Sequence, residues 1–394
     1  MPMYGLDPSA IVGFGQRAAP SLGNIACRMT VPQDFDTASK EASFRSWIPI
    51  PGGFSGPVVI KLPNAFIQGG TLFGAGGTTT FTASVEYVSG VRQQVLFSGV
   101  ASGVAAPGTI KDSDSINIAV SAADGGFYFN SHLANASGIP RSLATIGSSD
   151  LGDGAVFSAT TTPDLTMSGT VAFSSGYTYR PCAIVGMTKL KSVIFLDDSI
   201  GKGQGPAGPD FLGNNGIIER FVGAEFPHIN CSSPGAKAQD LSNMAAGSGF
   251  GVLWQYNRVA QLGAGTNDIF LGARTGAQVS TDTATLAGKL RAIGLKVFSR
   301  TCLPQTTSTD TWATIANQTV KAQEAQRVAL NTLLRSGSVT GVQAVWDITR
   351  EVESGFDSGL WLPNFSVDGI HPSWSASEAV RNSGRISISA FRRS

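Results

Sequence analysis

The chain has 394 residues, a length that suits two or three domains and excludes a single small module. Only 14% of residues are charged while 42% are hydrophobic and 48 are Gly, which excludes a charged disordered chain and a coiled coil. Lys plus Arg (28) almost balances Asp plus Glu (27), so the net charge of +1 offers no positive field to hold a phosphate backbone, and nucleic acid is not expected as a partner.

At the start of the chain, Met1–Arg28 offers only Ala10–Gly15 as an apolar stretch before Gln16 and Arg17 interrupt it. A secretory leader needs about 7–15 continuous apolar residues, so either export does not use this route or a leader has already been removed. The longest apolar runs, Ala183–Met187 and Val193–Leu196, fall far short of the roughly 20 residues that cross a bilayer. Cys27, Cys182, Cys231 and Cys302 are scattered without a CxxC pair and read as buried thiols.

Up to about Tyr179 the chain is rich in Gly, Ser, Thr and Phe, and short alternating runs are bounded by turn residues. Strands are expected at Ser43–Ile50, Val58–Leu62, Thr80–Tyr87, Gln94–Ser98, Ser115–Ala119 and Gly126–Phe129. Pro51-Gly52-Gly53 and Asp124-Gly125-Gly126 punctuate them. Short strands at this spacing suggest an all-β sandwich or jelly roll over residues 1–185. Gly138–Ser168 is polar and small and reads as a long surface excursion.

From Lys189 the rhythm changes to strands alternating with helices, the pattern of a parallel sheet covered on both faces, here assigned to residues 186–394. Strands are expected at Ser192–Leu196, around Val252–Leu262, at Leu295–Arg300 and at Gly341–Val345, with helices near Thr281–Ile293 and Val320–Leu334.

In an open parallel sheet, reactive groups gather at the carboxyl ends of strands. Ser199 follows Val193–Leu196 there and precedes Gly201, Gly203 and Gly205. It is a candidate nucleophile with its own N–H free; its other reading is a helix cap. In Asp368-Gly369-Ile370-His371-Pro372 the acid stands three positions before a histidine, so the carboxylate can reach Nδ1–H while Nε2 points away, as a general base needs. The alternative is a surface turn with an incidental His. Gly263-Ala264-Gly265-Thr266-Asn267-Asp268 ends another strand, where Asn267 offers an N–H to a developing oxyanion or else closes an Asx turn. Gly235, in Asn230-Cys231-Ser232-Ser233-Pro234-Gly235, can aim its N–H at the same oxygen or enter a helix.

The order of these blocks resembles the SGNH (GDSL-type) hydrolase superfamily. Asp197-Asp198-Ser199 is similar to its Gly-Asp-Ser block, Asn230 and Gly235 to its second block, Gly265-Thr266-Asn267-Asp268 to its Gly-x-Asn-Asp block, and Asp368 with His371 to its last. The resemblance runs from about Lys189 to the C-terminus. It implies a three-layer, flavodoxin-like α/β domain and a serine esterase without cofactor or metal. In that role Ser199, His371 and Asp368 are catalytic, and Ser199, Gly235 and Asn267 form the oxyanion hole. A short-chain acyl ester, acetyl first and possibly on a carbohydrate, is the implied substrate. The run Val58–Phe66, the turn Phe97-Ser98-Gly99 and the run Ser113–Val120 resemble the β-sandwich preceding the catalytic domain in some bacterial SGNH esterases, with an implied carbohydrate-binding or groove-shaping role. Asp197 stands where the family has Gly; its side chain either points outward or caps the following turn, the expected case, or crowds the turn before Ser199 and sets a negative charge near the oxyanion.

Two rivals remain. Val193–Asp198 also resembles a Walker B strand, but no Gly-x-x-x-x-Gly-Lys-[Ser/Thr] loop accompanies it, and the His and acids do not cluster as metal ligands. The other is a non-catalytic glycan-binding or particle-surface protein with a degenerate hydrolase domain. Trp254 and Trp346 are expected in the core. Trp361, Trp374 and Trp312 are candidates for the pocket wall.

Overall fold

The computed structural model describes residues 19–143, 147–174, 176–205, 215–223 and 226–386. The apolar stretch Ala10–Gly15 lies outside the described residues. No helix among the described residues is long and apolar enough to cross a membrane.

Two antiparallel sheets occupy the first half. In the five-stranded sheet, Phe54–Pro63 pairs with Ala183–Thr188, Ile110–Asp112 and Ile116–Val120, and Ser21–Asn24 adds to Ala183–Thr188. In the six-stranded sheet, Gly126–Ala134 lies between Thr79–Glu86 and Glu41–Pro49. The two-residue period of strands explains which side chains are buried: Phe44 and Ile48 from one sheet meet Val58, Ile60 and Leu62 from the other in a continuous apolar cluster. Tyr179 sits within it, its ring near those of Phe44 and Phe81 and its hydroxyl donating to the Pro63 carbonyl.

The second half is built on a six-stranded, all-parallel sheet. Its order is Met29–Thr30, His228–Asn230, Val193–Leu196, Val259–Leu262, Lys296–Arg300 and Ala344–Trp346. The five strands after residue 190 thus run 2-1-3-4-5, a doubly wound order whose ligand crevice lies at the carboxyl ends beside the first strand. Both faces are covered. Ile194, Leu196, Ala260, Leu262 and Val297 share one apolar cluster with Leu286 and Leu290 of helix Gly276–Ala292. Val193, Phe195, Val259 and Phe298 share the other with Val380 of helix Trp374–Asn382.

Several expected elements shift. Gly138–Ser168 is not one surface excursion, for Gly154–Ser158 pairs with Glu41–Pro49 and Ile139–Arg141 pairs with Asp34–Asp36. The small residues that hide this strand are what admit it: a Cβ on Gly154 would lie 2.4 Å from the Val171 carbonyl oxygen. The expected Gln94–Ser98 strand is Arg92–Gln94. The strand expected around Val252–Leu262 is a 3₁₀ helix, Gly249–Tyr256, followed by strand Val259–Leu262. Phe250 and Leu253, three apart and therefore eclipsed in a 3₁₀ turn, are both buried. Val320–Leu334 divides into strand Gln318–Val320 and helix Glu324–Arg335.

The two halves are interleaved. The division at residue 185 falls inside strand Ala183–Thr188, which belongs to an antiparallel sheet, while Met29–Thr30 crosses to edge the parallel one. At that crossing Asp153 receives Arg28 at 2.7 Å and Arg180 at 2.9 Å, with all three side chains buried. Burial opposes ionisation of Asp153, but the two guanidinium groups outweigh it and hold the carboxyl below its usual range. Asp153→Ala leaves two buried cations facing each other, so it should destabilise the fold by roughly 3–5 kcal/mol, measurable as a lowered urea midpoint. An unchanged midpoint would show that this cluster does not join the halves.

Candidate active site

Four polar segments converge at the carboxyl ends of three neighbouring parallel strands. Ser199 opens the four-residue helix Ser199–Lys202 directly after Val193–Leu196. Asp198 caps that helix by accepting from the Ile200 N–H at 2.8 Å, so the cap is Asp198 and not Ser199. This leaves the Ser199 hydroxyl to His371: Oγ lies 2.8 Å from Nε2, and Nδ1 lies 2.7 Å from Asp368 Oδ2. The other Asp368 oxygen accepts from the N–H groups of Ile370 (2.9 Å) and His371 (2.8 Å). Burial opposes ionisation of Asp368, but these bonds outweigh it and lower the carboxyl to about 2. Asp368 is therefore an anion at neutral pH, and His371 presents Nδ1–H to it with Nε2 turned to the serine.

The Asp368–His371 turn is pinned from several sides. Gly369 has φ +84°, and a Cβ there would meet the Thr306 carbonyl oxygen at 2.1 Å and the Trp312 ring at 2.7 Å. Its carbonyl accepts from Thr306 N–H and from the Trp361 indole. Ser366 Oγ donates to the His371 carbonyl and accepts from Gly369 N–H. Gly205 passes so close that a Cβ would stand 2.5 Å from His371 Cβ.

Gly235 follows His228–Asn230 with φ +77°. Its N–H and that of Ser199 donate to no internal acceptor among the described residues. Asn267 lies in the first turn of helix Thr266–Phe270, after Val259–Leu262, and its Nδ2 donates to the Ala236 carbonyl at 3.0 Å. An amide nitrogen carries two hydrogens, so one remains. Asp268 Oδ2 accepts from Ala238 N–H at 2.9 Å, tying the same two segments together once more. The structure thus joins Ser199, His371 and Asp368 directly, and Asn267 to the segment that carries Gly235.

Asp197 does not point outward to solvent, nor does it cap the turn. It is fully buried beneath it and receives Arg300 through two bonds, Nη2–Oδ1 at 2.7 Å and Nε–Oδ2 at 2.9 Å. Arg300 Nη2 also reaches Asp198 Oδ1 at 3.1 Å. Both acids that a Walker-type metal would need are therefore engaged by a guanidinium. The carboxylate takes space that neighbours must yield: a Cβ on Gly201 would lie 2.2 Å from Asp197 Cβ, and one on Gly263 1.9 Å from Oδ2. Nothing local in Lys296-Val297-Phe298-Ser299-Arg300 marks Arg300 as a partner of Asp197.

Of the tryptophans, Trp254, Trp346 and Trp361 are core; Trp254 lies in the 3₁₀ helix and not in a strand, and Trp361 supports the His371 turn from within. Trp312 donates to Thr306 Oγ1, and Trp374 lies under the Arg220 guanidinium. All four cysteines are buried free thiols. Among the described residues, no group of three or more His, Cys, Asp or Glu could hold a metal ion.

No family model matches the chain, and no curated protein matches it. Solved structures similar to about half of it include a GDSL-like lipase from Bacteroides thetaiotaomicron VPI-5482, at 16% identity and TM-score 0.36, over 48% of this chain and 84% of that one. A carbohydrate esterase family 3 structure from Talaromyces cellulolyticus is similar at 19% identity and TM-score 0.36, over 52% and 98%. A carbohydrate acetylesterase from Sinorhizobium meliloti is similar at 15% identity and TM-score 0.35, over 51% and 99%.

Two predictions follow from the buried charges. Asp197→Gly leaves Arg300 with only Asp198 and the Thr301 carbonyl as partners and should lower stability by roughly 3–5 kcal/mol in chemical denaturation. A variant as stable as the parent would remove the ion pair from the account. Burial pushes the Asp198 carboxyl up to about 7, with Arg300 opposing and Asp197 adding to the push. Its Oδ2 is buried without a hydrogen-bond partner, as suits a group that resists ionisation. An unfolded Asp ionises near ~3.9, so between there and about 7 the folded state binds the extra proton. Stability should accordingly fall as pH rises through that window. Asp198→Asn, which keeps the cap oxygen, should flatten this limb in a series of melting curves; an unaltered slope would sink the assignment.

Proposed function

We propose that the chain is a serine esterase that hydrolyses a short-chain acyl ester, acetyl first, with a carbohydrate hydroxyl as the alcohol. The observation that carries this is the unbroken bond series from Ser199 Oγ to His371 Nε2 and from Nδ1 to Asp368, assembled from opposite ends of the second half. A serine that only capped a helix would not be aligned with an imidazole whose far nitrogen is held by a carboxylate. The resemblance of the sequence blocks to SGNH hydrolases supplies the acyl and alcohol classes. In the same reading the two antiparallel sheets form a jelly-roll-like sandwich that shapes the substrate groove, and the parallel-sheet half, edged by Met29–Thr30, carries the catalytic residues.

His371 Nε2 takes the Ser199 hydroxyl proton as Oγ attacks the ester carbonyl carbon, and Asp368 stabilises the imidazolium. The carbonyl oxygen, now anionic, is held by the N–H groups of Ser199 and Gly235 and by the remaining Asn267 amide hydrogen. His371 returns its proton to the departing alkoxide. Water repeats the sequence on the acyl-enzyme and restores Ser199. No step calls for a metal or cofactor.

A fluorophosphonate probe should label the protein at Ser199, and hydrolysis of p-nitrophenyl esters from acetyl to decanoyl, then of acetylated glycans, should define the substrate. Ser199→Ala should abolish both labelling and turnover while leaving the melting temperature near the parent's. Asn267→Ala should lower kcat on the order of 10²-fold with a smaller change in KM. Activity should survive EDTA. Absence of labelling would favour a purely binding protein, and a chelation loss reversed by a divalent ion would favour metal chemistry.

A further inference from the structure

The strands Ala65–Gln68 and Thr71–Gly74 form a hairpin that belongs to the first half of the chain yet rests on the loop bearing Gly235. Its turn is Gly69-Gly70, with φ +57° and +81°, the double left-handed pair that a tight two-residue hairpin requires. Gly69 N–H donates to the Pro234 carbonyl at 3.1 Å, and Ser233 Oγ donates to the Ile67 carbonyl at 3.2 Å. Ile67 N–H in turn donates to Pro32, just beyond the edge strand Met29–Thr30. Gly70 is buried against the far side of the loop: a Cβ there would lie 3.0 Å from Asp240 Cβ and 3.5 Å from Ala236 Cβ. Ala236 is the residue whose carbonyl receives Asn267 Nδ2.

The loop carrying Gly235 is short and glycine-containing, and its N–H is useful only if aimed at one point in space. From within the second half it is held by Ser233 N–H on the Asp197 carbonyl, by the Asn267 bond to Ala236 and, just beyond, by Ala238 N–H on Asp268. The hairpin restrains it from the opposite side, from outside the second half. We infer that the Ala65–Gly74 hairpin is a positioning element for the oxyanion site, holding Gly235 and, through Ala236, Asn267 in register with Ser199. This rests on the esterase reading above. The first half is then a structural part of the active centre and not a tethered module.

The test is Gly70→Asn set against Gly90→Asn. Both positions have left-handed φ, +81° and +83°, which Asn tolerates better than most side chains, but a Cβ at Gly90 meets nothing within 4 Å. Ser233→Ala removes one hairpin bond without adding bulk and keeps the question answerable should Gly70→Asn fail to fold. Gly70→Asn should lower kcat about 10-fold or more, approaching the ~10² of a lost oxyanion donor, with KM changed by less than about threefold. Ser233→Ala should give a smaller loss of the same kind, and Gly90→Asn should match the parent. The pH profile of kcat/KM should keep its shape in all three, because the Ser199–His371–Asp368 series is untouched; a general loosening of the fold would shift it or raise KM. Parental kcat in both Gly70→Asn and Ser233→Ala, or an equal loss in Gly90→Asn, would overturn the inference while leaving the esterase reading intact. A parent protein inert to esters and to the fluorophosphonate probe would remove both.

Discussion

The bond between Arg300 and Asp197 is the constraint on which the site depends. It spans from the fourth strand of the second half to the first, beneath the strand between them, and closes under the turn that presents Ser199. A buried carboxylate at that point is tolerable only with a fixed cation beside it, and a buried guanidinium only with its donors occupied. Once the pair is in place, Gly201 and Gly263 have no room for a side chain, Asp198 is left to cap the short helix, and Ser199 is freed for His371. A charge fills the position before Asp198, and the neighbouring glycines give up their volume to it.

A second buried ion cluster performs a comparable service between the halves. Arg28, Asp153 and Arg180 come from three distant stretches and meet where the chain passes from the antiparallel sheets into the parallel one. Met29–Thr30 then pairs with His228–Asn230, and Lys202, in the helix that Ser199 opens, donates to Thr30. Burial brings that lysine down to about 8, with Glu219 opposing the shift. The helix that Ser199 opens is therefore fastened to a strand from the first thirty residues, and the Gly235 loop to a hairpin from the first eighty. An arrangement of this kind cannot be divided at one linker without removing part of the site.

How far the sequence discloses this differs from residue to residue. Ser199, His371, Asp368, Asn267 and Gly235 are legible because each lies in a short block whose chemistry is local: an acid three residues before a histidine, a glycine before an asparagine at a strand end. Four of the parallel strands are legible because full burial on two faces demands apolar runs such as Val193–Leu196, whereas Met29–Thr30 and His228–Asn230 are too short to show one and were not expected. Gly154–Ser158 and the 3₁₀ helix Gly249–Tyr256 are not, since small residues and short apolar runs suit several backbones, and the choice falls to what lies opposite them.

The sequence by itself determined two rhythms, the order of the polar blocks and the residue types that could react. The tertiary structure decided which of them meet. Arg300 reads as an ordinary strand end until the sheet order brings it under Asp197; Gly69 and Gly70 read as an ordinary hairpin turn until that turn docks on Pro234. Both outcomes rest on contacts between segments more than a hundred residues apart. Local propensity and periodicity carry no information about such distances, which are set only when the sheets close around their shared cores.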